Sequence, residues 1–95
     1  MKEVREQINS IDEQIIRLLS DRRKLSLEIV KLKNREKSSI RDKDREKELL
    51  SHIIEAGKKY CLEEDYLTKV FDVIIRDSII LQNEFILEKG NKNKV

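Results

Sequence analysis

The chain has 95 residues, of which 38% are hydrophobic, 42% charged and 4% aromatic, a mixture typical of long amphipathic helices rather than of a large compact core. Its 21 basic and 19 acidic side chains are interleaved and leave a formal charge of +2, which argues against a nucleic-acid partner because binding to a phosphate backbone needs a basic block or face. One cysteine, Cys61, excludes an intrachain disulfide, and one histidine, His52, makes a metal site unfavourable.

The first predicted element is one long helix over Lys2–Glu36. The stretch contains no proline or glycine, and its apolar residues recur every three or four positions, with one spacing of seven positions, as on one helix face. These residues are Val4, Ile8, Ile11, Ile15, Leu18, Leu25, Ile29 and Leu32. At 1.5 Å per residue the helix would be about 50 Å long, roughly twice the diameter of a compact domain of this size. Its own chain cannot cover it, so we expect a second chain, most simply in a symmetric homodimer.

Two further helices are predicted, which makes an all-α chain of long, short and medium helices. Asp42 is a good N-cap for the second helix, and Gly57 followed by two lysines marks its end. Acidic residues 63–65 open the third helix, which we expect to end near Lys89 with Gly90 as the stop. The predicted domain spans residues 1–90, and residues 91–95 form a polar tail that we expect to be disordered.

No apolar run approaches the length of a membrane span, and the N-terminal residues do not resemble a secretion signal. We therefore expect a cytoplasmic protein with no membrane partner.

Polar residues interrupt the apolar faces, and the first is Arg22, which takes an apolar position between Leu18 and Leu25. Lys33 lies eleven residues later, within about 20° of the same helix face and about 16 Å along the axis. Two such cations can bracket a small anion. Arg5 lies about 25 Å before Arg22 on the same helix, so it could join that site only from a partner chain in an antiparallel pairing.

Other polar groups share faces on the second and third helices. Asp42, Arg45 and Glu46 are spaced to lie together at the start of the second helix, and Ser78 and Gln82 are an i, i+4 pair within an apolar stripe. Each feature alone also has a structural explanation: an N-cap with local ion pairs, a snorkelling arginine, or amides and hydroxyls bonded inside a bundle. Together they favour a pocket for a small polyanion inside a helical bundle.

These residues resemble the all-helical bacterial chorismate mutase family, including the domain at the start of prephenate dehydratase fusions. The matching motifs occur in order along nearly the whole chain. They are residues 4–8 with 11–12, 19–23, 31–33, 41–46 and 74–78 with Gln82.

The resemblance implies an intertwined homodimeric helical bundle with two equivalent sites, each completed by the partner. Carried over to this sequence, Arg22 binds one carboxylate of the substrate chorismate, and Arg5 of the partner subunit binds the other. Lys33 contacts a carboxylate and the ether oxygen, and Gln82 donates to that oxygen from the other side. These last two are the expected catalytic residues, and the others bind substrate.

The remaining positions of the family pattern are also filled. Glu46 is expected to accept a hydrogen bond from the ring hydroxyl, while Asp42, Arg45 and Ser78 line the site. Chorismate rearranges to prephenate within one molecule, in the route to phenylalanine and tyrosine, so the implied chemistry requires no metal, cofactor or nucleophile. The protein would restrain the reactive conformer and stabilise negative charge on the ether oxygen.

Two other functions remain open at this point. Isochorismate pyruvate lyase shares the fold and a similar substrate, although the set of Asp42, Arg45, Glu46 and Ser78 favours the mutase. A helical dimerisation module without catalytic activity would need only the apolar stripe and the exposed charges.

Overall fold

The computed structural model of the chain describes residues 1–36 and 43–92, with side chains described for residues 1–32 and 43–88. Over these ranges the chain forms three α-helices and no strand: α1 (Lys2–Glu36), α2 (Lys43–Lys58) and α3 (Glu64–Lys92). The all-α class and the order long, short and medium are confirmed.

A tight connection turns α2 back into α3. The amides of Tyr60 and Leu62 both donate to the Gly57 carbonyl, each at 3.0 Å, which satisfies an acceptor at the end of the helix. Cys61 takes the left-handed backbone conformation that this turn requires, with φ of 58°. The resulting pair packs through Ile53 and Gly57 of α2 against α3.

Close approach of α2 to α3 depends on the missing side chain of Gly57. A Cβ atom built there would overlap Cδ1 of Leu67, which is itself buried. The two helices therefore meet at a contact of glycine against leucine.

Helix α1 packs on α3, but not through its apolar stripe. Its buried residues among those described are Ser26 and Val30, which lie about 40° and 80° around the helix from Arg22. Every apolar residue predicted for the long stripe is exposed, from 47% for Ile29 to 60% for Leu25. The periodicity located an apolar face correctly, but that face is left uncovered by its own chain.

The fold is correspondingly elongated. Its principal extents are 58 × 29 × 17 Å and its radius of gyration is 16.9 Å, whereas a compact domain of this length would have a radius of about 12 Å. Among the described residues α1 and α2 both pack on α3 and not on each other, so α3 is the element that unites the chain.

Most predicted boundaries are confirmed. Helix α1 has the predicted bounds, α2 ends one residue after Gly57, and α3 begins within the acidic run. The expected stop at Gly90 is wrong, because α3 continues to Lys92. One glycine costs a helix only about 1 kcal/mol relative to alanine, so it does not have to end one. The predicted cap Asp42 lies outside the described residues, as do residues 93–95 of the predicted tail 91–95, whose first two residues belong to α3.

No helix in the described part of the chain is long and apolar enough to cross a membrane.

Candidate functional site

A polar cluster lies inside the contact between α1 and α3. Arg22 and Ser26 come from successive turns of α1, and Ser78 and Gln82 come from successive turns of α3. Because residues four apart share a helix face, the two pairs meet across the interface. Ser26 and Gln82 are 6% and 8% exposed, while Arg22 and Ser78 are half-buried.

Ser78 is the centre of this cluster. Its Oγ accepts hydrogen bonds from Nη1 of Arg22 at 2.5 Å and from Oγ of Ser26 at 3.2 Å. Its own proton goes to the backbone carbonyl of Ile74 at 3.2 Å, one turn earlier in α3. A hydroxyl has one proton to donate and two lone pairs to accept, so all three positions on Ser78 are used.

Gln82 is fixed by a main-chain group of α1. Its Nε2 donates to the carbonyl oxygen of Ser26 at 2.8 Å. A carbonyl can only accept, so the nitrogen of the amide must face α1, and this determines which way the amide points. The second Nε2 proton is left available for another acceptor.

The cation of Arg22 is partly desolvated. Burial lowers the pKa of its guanidinium from the ordinary value, and the nearby carboxylate of Asp77 opposes that shift. The ordinary arginine pKa is far above neutral, so Arg22 stays charged. Asp77 is already held by Arg23, whose Nε and Nη2 donate to its two carboxylate oxygens at 3.0 and 2.5 Å. Two guanidinium groups thus face the carboxylate of Asp77, and Glu84 also acts on Arg23, so Arg22 is the cation of the cluster that is not held in a hydrogen bond by a carboxylate of the described residues.

Arg23 and Asp77 form an exposed ion pair at the edge of the contact between α1 and α3. It links α1 to α3 one residue away from the bond between Arg22 and Ser78. Both of its side chains are substantially exposed to solvent, at 58% and 35%, so water and salt screen the pair and it adds little to stability.

A largely apolar cavity of about 450 Å³ adjoins the cluster on the side toward the start of α1. It shares only Arg22 with the residues predicted for a binding site. Its walls are Ile16, Leu19, Ser20, Arg22, Arg23, Val73, Ile74 and Asp77. The polar cluster and the cavity are therefore two neighbouring features, and the polar cluster holds the groups suited to an anion.

The structure brings together three of the eight predicted site residues: Arg22, Ser78 and Gln82. Arg45 and Glu46 lie in the first turn of α2, where Arg45 also pairs with Glu48 at 3.6 Å. Glu46 is half-buried.

Of the other three predicted residues, only Arg5 has a described side chain. Arg5 is exposed in the first turn of α1. Lys33 lies on α1, but its side chain is outside the described part, as is Asp42 altogether. His52 is exposed.

Ser26 was missed by sequence reasoning. The available signal was its spacing of four residues from Arg22, which matches the spacing of Ser78 and Gln82 on the opposite helix.

Comparison with known proteins adds the decisive observation. Residues 4–83 match the family model for chorismate mutase type II. The chain belongs to the chorismate mutase type II family. The matched range includes every predicted site residue, from Arg5 to Gln82.

Two kinds of relative match the chain. The chain is 38% identical over 89 residues to the bifunctional chorismate mutase/prephenate dehydratase of Escherichia coli, a match that covers 94% of this chain and 23% of that protein. A similar fusion from Buchnera aphidicola is 38% identical over 91 residues, covering 96% and 24%. The chain thus spans about a quarter of these longer relatives. The chorismate mutase of Methanocaldococcus jannaschii is 31% identical over 94 residues, covering 99% of this chain and 95% of that protein.

Proposed function

We propose that the protein is a chorismate mutase, an isomerase that rearranges chorismate to prephenate in the biosynthesis of phenylalanine and tyrosine. The observation that carries the proposal is the polar cluster between α1 and α3, which includes Arg22, Ser78 and Gln82, in a chain of this family. The cluster supplies a cation and a neutral donor, the two kinds of group that an anionic ether substrate needs.

The reaction is an intramolecular [3,3] shift, in which the ether C–O bond breaks while a new C–C bond forms. No proton, electron or external group is transferred. The protein therefore accelerates it by holding the chair-like reactive conformer and by stabilising the negative charge that develops on the ether oxygen. In this proposal Arg22 and Arg5 of the partner subunit bind the two carboxylates, and Lys33 and Gln82 donate to the ether oxygen.

The geometry of Gln82 suits that role. One Nε2 proton is used by the Ser26 carbonyl, which holds the amide in one orientation and leaves the second proton to point elsewhere. A donor that is fixed before substrate arrives needs no reorganisation during the reaction. Because an amide is neutral, its donation does not depend on pH across the neutral range.

The position of Glu46 is compatible with a contact to the same substrate. Glu46 precedes Gly57 by eleven residues, and Ser78 follows Leu67 by eleven. Gly57 and Leu67 are in contact where α2 turns back into α3, so equal helical rises of about 16 Å bring Glu46 level with Ser78 in an antiparallel pair. From there Glu46 would accept from the ring hydroxyl, with Asp42 and Arg45 beside it.

A homodimer is part of this proposal, because one chain leaves too much surface uncovered. The chain exposes 8364 Å², whereas a compact monomer of its mass would expose about 5,700 Å². The excess of about 2,700 Å² per chain, or about 5,400 Å² for two chains, lies at the upper end of the total area that obligate homodimers bury. Pairing the apolar stripes of two α1 helices in antiparallel fashion would cover it and would bring Arg5 of the partner subunit toward Arg22.

The test is direct. Purified protein is mixed with chorismate, the loss of chorismate absorbance is followed, and the product is identified as prephenate. Salicylate and pyruvate formed from isochorismate would instead identify a lyase, and the absence of turnover with either compound would leave a dimerisation module. Size-exclusion chromatography with light scattering should give twice the mass of the chain.

A further inference from the structure

Ser26 is a buried polar residue whose carbonyl orients Gln82 but whose hydroxyl has no role in the proposed mechanism. A serine in a helix commonly bonds the carbonyl four residues earlier in its own helix. Ser78 does this with Ile74, but the hydroxyl of Ser26 instead crosses to Oγ of Ser78 on α3 at 3.2 Å. It is also one of only two polar residues buried among those described, together with Gln82.

The direction of this bond follows from the protons available. Ser78 gives its proton to the Ile74 carbonyl, and Arg22 has only protons to give. Ser26 must therefore be the donor to Ser78. Its hydroxyl holds the same oxygen that receives the Arg22 guanidinium, so the position of that oxygen sets where Arg22 points.

We propose that Ser26 is a positioning residue: its hydroxyl fixes the Ser78 oxygen and, through it, the orientation in which Arg22 receives a substrate carboxylate. The inference rests on the proposed chorismate mutase function. Ser26 would not touch the substrate itself.

Substitution Ser26→Ala removes the hydroxyl and leaves a residue with higher helix propensity, so the variant is expected to fold. We expect kcat/KM for chorismate to fall about three- to tenfold, the range that one neutral hydrogen bond supplies. The change should appear mainly in KM, because Arg22 would bind the carboxylate equally in the ground state and the transition state.

A double-mutant cycle separates positioning from a general structural effect. If Ser26 acts only through the Ser78 oxygen, Ser26→Ala should change kcat/KM by less than about twofold in a Ser78→Ala background. Ser51→Ala makes the same change at an exposed serine of α2, so it is the matched control and should behave as the unsubstituted protein. Ser26→Cys fills the space of the hydroxyl with a weak donor, and it should resemble the alanine variant if the bond rather than the volume matters.

The possible outcomes are distinct. The inference would be overturned if Ser26→Ala left the kinetics unchanged or lowered only kcat. It would also be overturned if Ser26→Ala lowered kcat/KM equally with and without the Ser78 hydroxyl. In each case, turnover of chorismate by the unsubstituted protein would still uphold the proposed function. If the alanine variant does not fold, full activity in Ser26→Cys would overturn it. If the unsubstituted protein does not turn over chorismate, the proposed function fails and the inference fails with it.

Discussion

Replacing Gln82 by glutamate tests the candidate site at its most buried polar side chain facing the proposed substrate. Gln82 is 8% exposed, and its Nε2 lies 2.8 Å from the Ser26 carbonyl. A carboxylate there would place a charged oxygen against a carbonyl oxygen, and burial would add a desolvation penalty. Both effects raise the pKa of the new carboxyl. The cation of Arg22 has the opposite effect, but it is bonded to Ser78, one helical turn or about 6 Å away, so the direct contact should dominate.

The magnitude follows from the pKa. A free glutamate has a pKa of about 4.3, and a rise of about 2 to 3 units would bring it to about 6.3 to 7.3. Each unit corresponds to about 1.4 kcal/mol, so Gln82→Glu should lower the free energy of unfolding by about 3 to 4 kcal/mol at about pH 8. The pKa of the new carboxyl is higher in the folded state than in the unfolded state. The protonated form keeps its bond to the Ser26 carbonyl, so stability is retained below about pH 4.3 and is lost as pH rises through the folded-state pKa.

Activity should follow the same titration. The protonated carboxyl of the Gln82→Glu variant has one proton, which can pass from the Ser26 carbonyl to the ether oxygen when chorismate is bound, whereas the carboxylate has no proton to donate. Turnover of chorismate should therefore be confined to acid pH in the variant and be nearly flat across neutral pH in the unsubstituted protein.

The assays are urea denaturation and chorismate turnover between about pH 4.5 and about pH 8, a range that brackets the expected titration. Asn83→Asp is the matched control, since it makes the same change from amide to acid at the adjacent, exposed position. Equal pH dependence of unfolding in the two variants would refute the reasoning about burial. A Gln82→Glu variant that remains fully active at the alkaline end of this range would refute the donor role.

Three further predictions test other parts of the molecule. Lys33→Ala should reduce kcat about a hundredfold to a thousandfold, as expected for the loss of one charge-stabilising donor, while Lys24→Ala, at an exposed position, is the control and should leave kcat nearly unchanged. Nearly normal turnover in the Lys33 variant would contradict the catalytic role of Lys33. Gly57→Ala should lower the free energy of unfolding, measured in urea, by about 1 kcal/mol, because the steric cost of crowding Leu67, about 1 to 3 kcal/mol, exceeds the gain of up to about 1 kcal/mol in helix propensity. A more stable variant would mean that Leu67 moves aside at little cost. Ile15→Asp should prevent dimerisation and abolish turnover, as measured by light scattering and by the chorismate assay, and an active dimer would remove the apolar stripe from the proposed interface.

The helices could be predicted from the sequence because their apolar spacing is regular and their ends carry chemical signals. Gly57 with Lys58 marked the end of α2, and the acidic run before Tyr66 marked the start of α3. Gly90 misled because a glycine permits a helix end without requiring one.

The site was only partly predictable. Arg22 stood out because a cation interrupted an apolar series, and Gln82 because an amide lay within one. The periodicity could not show which surface covers an apolar face, so it did not reveal that α1 meets α3 through Ser26 and Val30 instead. Ser26 gave little signal, because serine is common on both exposed and buried helix faces and only the facing Ser78 gives it a partner.

The exposed first half of α1 has a consequence for how the protein folds. All of residues 1–21 are exposed, whereas most of the stability of helices in proteins comes from packing of an amphipathic face. In the proposed homodimer this segment gains its stability from association, so its helical structure should form in a bimolecular step. Refolding monitored by the helical circular dichroism signal should therefore include a phase whose rate rises with protein concentration.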